Sequence, residues 1–138
     1  MTTGRSPIDN EGSRLADEVL AAYLRYLDAF ITNDIQGLDA VVAYPLAHIA
    51  ESDVQMHDVF PINPAELKRS KDWYTTRNSR FQVLAVSPSK AHVVLYSADR
   101  VREDGSLIET VSAFYAFKLT DDGWKIYAFS DVVNSAPH

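Results

Sequence analysis

Three tight turns in the C-terminal half constrain this chain more than any other feature. Asp104-Gly105 separates two segments of alternating apolar residues, and "SPSK" (87–90) and "TDDG" (120–123) flank them on either side. Asp-Gly between alternating segments is the strongest short hairpin signal, because the turn needs positive φ and these residues accept it. Four antiparallel strands are therefore expected, at 80–86, 91–103, 106–119 and 124–133, joined as a meander.

Short loops fix register, so the pairs Val86–Ala91, Glu103–Ser106 and Leu119–Trp124 propagate into two faces. The first is expected to hold Phe81, Val83, His92, Val94, Tyr96, Arg100, Glu109, Tyr115, Phe117, Trp124, Ile126, Ala128 and Ser130. Arg100 then falls opposite Glu109, a charge pair at the rim. The second holds Leu84, Val93, Leu95, Phe114, Ala116, Tyr127, Phe129 and Asp131. The first face is apolar enough to receive helices. The second has polar ends but an apolar middle, and an exposed patch of that kind marks a protein contact. A second copy of the chain is expected to cover it, as a homodimer through Leu95, Phe114 and Phe129. The alternative is a face shielded by its own long polar side chains.

The N-terminal half supplies the helices. In 13–33, Leu15, Val19, Tyr23, Tyr26, Leu27 and Phe30 share one face, and Ser13 is the expected N-cap. A shorter helix follows in "DIQGLDAVVAY", capped by Asp34 and stopped before Pro45. Residues 46–60 read as one or two short strands. Asn63, Pro64 and Glu66 form the start of a third helix, with Trp73 and Tyr74 near its end.

Composition narrows the partners. The 138 residues, 46 % hydrophobic and 23 % charged, suit one domain, expected over 13–138 behind a flexible tail at 1–12. Net charge is −6, and the one basic cluster, "KRSK" at 68–71, lies beside Glu66 and Asp72, so no nucleic-acid groove is expected. The absence of cysteine removes disulfides and thiolate chemistry. Histidines at 48, 57, 92 and 138 lack metal-ligand spacing, so neither a metal nor a cofactor is expected. No apolar run suits a signal peptide or a membrane span, and a soluble, cytoplasmic protein is expected.

Two stretches carry a resemblance: "VLAAYLRYLDAFITNDIQGLDAVVAY" and "RVREDGSLIETVSAFYAFKLTDDGWKIYAFSD". The first is similar to the opening helix pair, and the second to the closing hairpin, of the nuclear transport factor 2-like (cystatin-like α+β) superfamily. The resemblance spans residues 14–133. It implies an α+β fold in which N-terminal helices pack on the concave face of a curved, mainly antiparallel sheet around a cone-shaped cavity. The sheet's other face commonly forms a dimer. Such scaffolds host isomerases, cyclases, dehydratases, binders and interaction modules, so the resemblance specifies fold more than function.

Residue by residue, Tyr26 stands eight positions before Asp34, matching the first-helix tyrosine donor of the ketosteroid isomerases. Tyr115 approximately matches their second donor. Their carboxylate base aligns with Ala50, and a one-residue gap brings in Glu51. SnoaL-like cyclases imply a pocket histidine, here His48 or His92, and an aspartate, here Asp131 or Asp53; the register above turns Asp131 outward.

The leading expectation is a cavity lined by Tyr23, Tyr26, Trp73, His92, Tyr96 and Tyr115 that binds a small lipophilic molecule. An isomerase or cyclase with His48 or Glu51 as base is the alternative. A dimeric interaction module with a filled core is the third.

Overall fold

The computed structural model describes residues 10–136. Helix α1 runs Asn10–Ile31, α2 Ile35–Ala40 and α3 Pro64–Lys71. The strands are β1 Val42–Ile49, β2 Val54–His57, β3 Thr75–Val86, β4 Lys90–Val101, β5 Leu107–Thr120 and β6 Gly123–Ser135. They form a single six-stranded sheet in the order β2-β1-β6-β5-β4-β3, and only the β1–β6 pairing is parallel. The fold is α+β, with the helices on one face of a mainly antiparallel sheet, as expected. No helix among the described residues is long and apolar enough to cross a membrane.

Local chemistry explains the helix ends. Asp34 and Asn63 cap α2 and α3 by accepting from the backbone N–H of Gly37 and Glu66. Pro64 opens α3 where a missing N–H costs nothing, and Asp72 closes it in the left-handed conformation. α1 starts earlier than its periodicity suggests, so Ser13 lies inside the helix instead of capping it. Of the tail expected at 1–12, residues 10–12 belong to α1, and residues 1–9 lie outside the described residues. Gly105 and Gly123 hold φ of +87° and +107° in the turns, which only glycine adopts without strain.

The core lies between α1 and the concave face. Val19, Ala22 and Tyr23 are fully buried there with Phe117, Ile126 and Val93. Each of the larger aliphatic or aromatic side chains contributes about 1.5–3 kcal/mol through burial.

Register departs from the expected one at several places. Beside the Asp104-Gly105 turn the expected Glu103–Ser106 pair does not form. Val101 pairs with Leu107, one residue out of step, until the extra residue Ile108 restores the expected register. The expected pairs Arg100–Glu109, Ala98–Val111, Phe117–Ile126 and Leu119–Trp124 all occur. Between Ala98 and Leu95, however, β4 carries one residue more than β5, and between Ile126 and Ala128 β6 does the same. A bulge of one extra residue turns every later side chain to the other face. Past Tyr96, β4 therefore buries Leu95, Val93 and Ala91 and turns Val94 and His92 outward. Past Tyr127, β6 turns Phe129 and Asp131 toward the helices and Ala128 and Ser130 away. A further bulge, at Leu84 in β3, brings Val86 back against the core.

Candidate functional site

The last two turns of α1 stand over the sheet's concave face and leave a cavity of about 50 Å3 between them. Tyr26, Leu27, Phe30 and Ile31 line it from the helix, and Leu95, Ala98, Arg100, Val111, Tyr115, Phe129 and Asp131 line it from the sheet. Ile62 and Thr76 complete the wall. That space holds only a few heavy atoms, far less than the roughly 300 Å3 of a drug-sized pocket. A bound molecule is small, or it extends through the mouth where Leu27, Ile31 and Thr76 remain partly exposed.

Aromatic packing shapes this end of the cone. The Tyr26 ring stands edge-on to Tyr115 at 5.4 Å and to Phe60 at 6.2 Å. Phe60, in the β2–α3 connection, also packs on Phe30 and lies parallel to Phe129. Burial raises the Tyr115 phenol to about 12, and burial together with Tyr115 raises Tyr26 well above the ordinary phenol value. Both therefore remain protonated donors throughout the neutral range.

His48 and Asp131 meet across the parallel seam. β1 places His48 beside Phe129 of β6, and the two rings stack at 4.4 Å with 9° between their planes. Stacking fixes the imidazole, and its Nε2–H donates to Asp131 Oδ1 at 2.9 Å. Asp131 lines the cavity, so the histidine stands behind the carboxylate and orients it. Asp131 is also close enough for its charge to help raise both Tyr26 and Tyr115. His57 of β2 lies 6.3 Å from His48, ring to ring, and its buried Nε2 has no partner among the described residues.

A charged cluster closes the opposite end. Glu109 is buried, 3 % exposed, where a rim position was expected. It accepts from Arg100 Nη1 at 2.6 Å and from Lys71 Nζ at 2.7 Å. Burial alone would raise its carboxyl, but the two cationic donors outweigh it and hold the group below the ordinary range. Trp73 is buried after α3 and supports the Arg100 guanidinium from 5.3 Å.

Of the residues singled out from sequence, Tyr26 and Tyr115 line the cavity, while Tyr23 and Trp73 lie deeper behind it. His92 and Tyr96 do not reach it: the Tyr96 bulge puts both on the outer face, where His92 packs on Phe114. Glu51 is exposed in the turn after β1, away from the cavity. Leu95 and Phe129, expected on the outer face, are 4 % and 3 % exposed inside. Sequence reasoning set Asp131 aside on the expected register alone, and it gave Phe60 no role; no local pattern signals either position. Among the described residues, no three His, Asp or Glu side chains converge as a metal site would require.

No protein-family model matches the sequence, and no curated protein matches it. Solved structures do match in shape. A cystatin-like fold protein from Burkholderia xenovorans LB400 superposes with a TM-score of 0.62 at 19 % identity, over 90 % of this chain and 95 % of that one. A nuclear transport factor 2-like protein from Cytophaga hutchinsonii gives 0.58 at 17 %, over 87 % and 97 %. The hexachlorocyclohexane dehydrochlorinase LinA-type3 from Novosphingobium barchaimii LL02 gives 0.60 at 16 %, over 96 % and 94 %. The chain thus has the cystatin-like α+β fold of the nuclear transport factor 2-like proteins, with a histidine–aspartate pair at the wall of its cone.

Proposed function

We propose that the cavity binds a small, mostly apolar molecule and moves a proton at one of its carbons. The observation that carries this reading is the 2.9 Å contact between His48 and Asp131, at a cavity that two protonated phenols also line. One Asp131 oxygen is held by His48. The other is the base: it takes a proton from a carbon beside a carbonyl, and the C–H electron pair passes into an enolate. Tyr26 or Tyr115 donates a hydrogen bond to the enolate oxygen, where negative charge develops. Return of the proton to another carbon is an isomerisation; departure of a neighbouring group is an elimination. The dehydrochlorinase among the structural neighbours is named for a reaction of the second type, which supports the class without fixing the substrate.

The test is exchange of carbon-bound protons in deuterated water, followed by NMR over a panel of small ketones and keto acids. The protein is expected to accelerate exchange in at least one of them. Asp131→Asn is expected to lose about 100-fold or more of that rate, and His48→Gln a smaller part. An Asp131→Asn variant that exchanges as fast as the parent overturns the assignment. Binding of panel members with no exchange in any of them overturns the proton-transfer step and leaves a binding site.

A further inference from the structure

The proposed chemistry occupies the Asp131 end of the cavity and gives no task to Arg100 at the other end. Three observations make that arginine unusual. Glu109 serves two cations, Lys71 and Arg100, so the cluster carries one positive charge in excess. The excess is not shared evenly with water: the Lys71 side chain is 35 % exposed, the Arg100 side chain only 12 %. And Arg100 donates to Glu109 through Nη1 alone; among the described residues its Nε and Nη2 have no protein acceptor. Those two nitrogens are not sealed off as buried unpartnered atoms, so they stay open to an anion that enters the space Arg100 lines.

We propose that Arg100 is a specificity-determining residue that selects substrates bearing a carboxylate. The inference rests on the acid/base site above for the identity of the reacting end. The guanidinium carbon stands over the rings of both Trp73, at 5.3 Å, and Phe30, at 5.8 Å, and the side chain lines the cavity. A rigid planar fork matches two coplanar oxygens, which is the geometry of a carboxylate. Leu27, Phe30, Ile31, Ala98 and Val111 surround the space beyond it, so the body of the molecule is apolar. Asp131 sets the direction: its negative charge repels a second carboxylate, and Arg100 attracts one. The substrate acid group therefore lies at Arg100 and the reacting carbon at Asp131. The small cavity keeps the two ends only a few bonds apart. The reading is thus of a short, mostly apolar keto acid whose acidic carbon lies a few bonds from the carboxylate.

The experiment titrates the full chain with isobutyrate, cyclohexanecarboxylate and benzoate, each against its neutral carboxamide, by NMR. The acids are expected to bind about tenfold or more tightly than the amides, as a charge-assisted hydrogen bond implies. Arg100→Gln is expected to abolish that preference. The variant leaves Lys71 and Glu109 as a balanced pair, which favours retention of the fold. Equal binding of acid and amide by the unaltered protein overturns the proposal, as does failure of all three acids to bind. That measurement needs no variant to fold. Asp131→Asn separates this inference from the proton-transfer reading, because it is expected to lose exchange yet keep the acid preference. A preference for acids with no exchange in any panel member sinks the reaction and leaves Arg100 standing. Exchange without acid preference does the reverse.

Discussion

Tyr23 and its two neighbours on the same aromatic seam look alike in sequence and differ in what surrounds their hydroxyls. Tyr26 and Tyr115 reach the cavity, whereas Tyr23 is fully buried and its hydroxyl has no well-formed partner among the described residues. Burial, then the neighbouring Tyr115, pushes its phenol far above the ordinary value. A buried hydroxyl whose nearest partner, Tyr115, is poorly placed recovers little of its desolvation cost. Tyr23→Phe is accordingly expected to leave stability unchanged or to raise it by about 1 kcal/mol in urea unfolding. A loss of similar size means that the hydroxyl holds a hydrogen bond and refutes the assignment. Sequence could identify Tyr26 and Tyr115 because each depends on one unbroken period. Tyr26 sits on the apolar stripe of α1, and β5 alternates regularly from Phe117 through Tyr115, Ala113 and Val111 to Glu109, all buried. It could not place His92, Tyr96, Phe129 or Asp131, since each lies beyond or at a bulge.

At the level of elements, the turns at 87–90 and 120–123 set register well nearby and lose it along the strand, whereas beside Asp104-Gly105 the register is one residue off. Val86–Ala91 and Leu119–Trp124 pair as the loops require, and the order of helices and strands was legible from caps, prolines and Asp-Gly. An extra residue at Tyr96 or Tyr127 has no compositional mark, because a tyrosine suits either face of a strand. The bulge in β6 nonetheless decides the chemistry, since it aims Asp131 inward. The Glu109 cluster shows a second kind of coupling, in which α3 is tied to β4 and β5 through one carboxylate. Glu109→Gln leaves two cations facing each other and is expected to cost about 3 kcal/mol in chemical denaturation. The sign with pH follows from the lowered carboxyl. Its contribution is complete above the ordinary value of 4.5 and is lost as pH falls below that toward the folded-state value. The stability gap between parent and Glu109→Gln should close on acidification through that window. A gap that stays constant to pH 3 or so means the ion pair is not its source.

For the whole molecule, the outer face of the sheet remains the surface most in need of a partner. Tyr96 is 47 % and Phe114 37 % exposed there, with Leu84 and Val132 also open to water. Leu95 and Phe129 have left that face, but Tyr96 and Val94 take their places, so an apolar patch persists. We propose that two copies pair through it by a two-fold axis. Phe114→Lys is expected to convert the protein to monomer in sedimentation while leaving carbon-proton exchange intact. A parent protein already monomeric at high concentration disproves the pairing.

The seam between β1 and β6 sets a limit on when the protein can work. His48 and Asp131 are 83 residues apart in the chain, and they come together only where those two strands run side by side. Closing so long a loop is entropically slow, whereas the β3–β6 meander forms through neighbours in sequence. The first strand is therefore expected to dock after the meander and to open ahead of it, which faster amide hydrogen exchange in β1 than in β4–β6 would show. Each such opening would separate imidazole from carboxylate while the rest of the cone stayed intact, so an idle protein could still look fully folded.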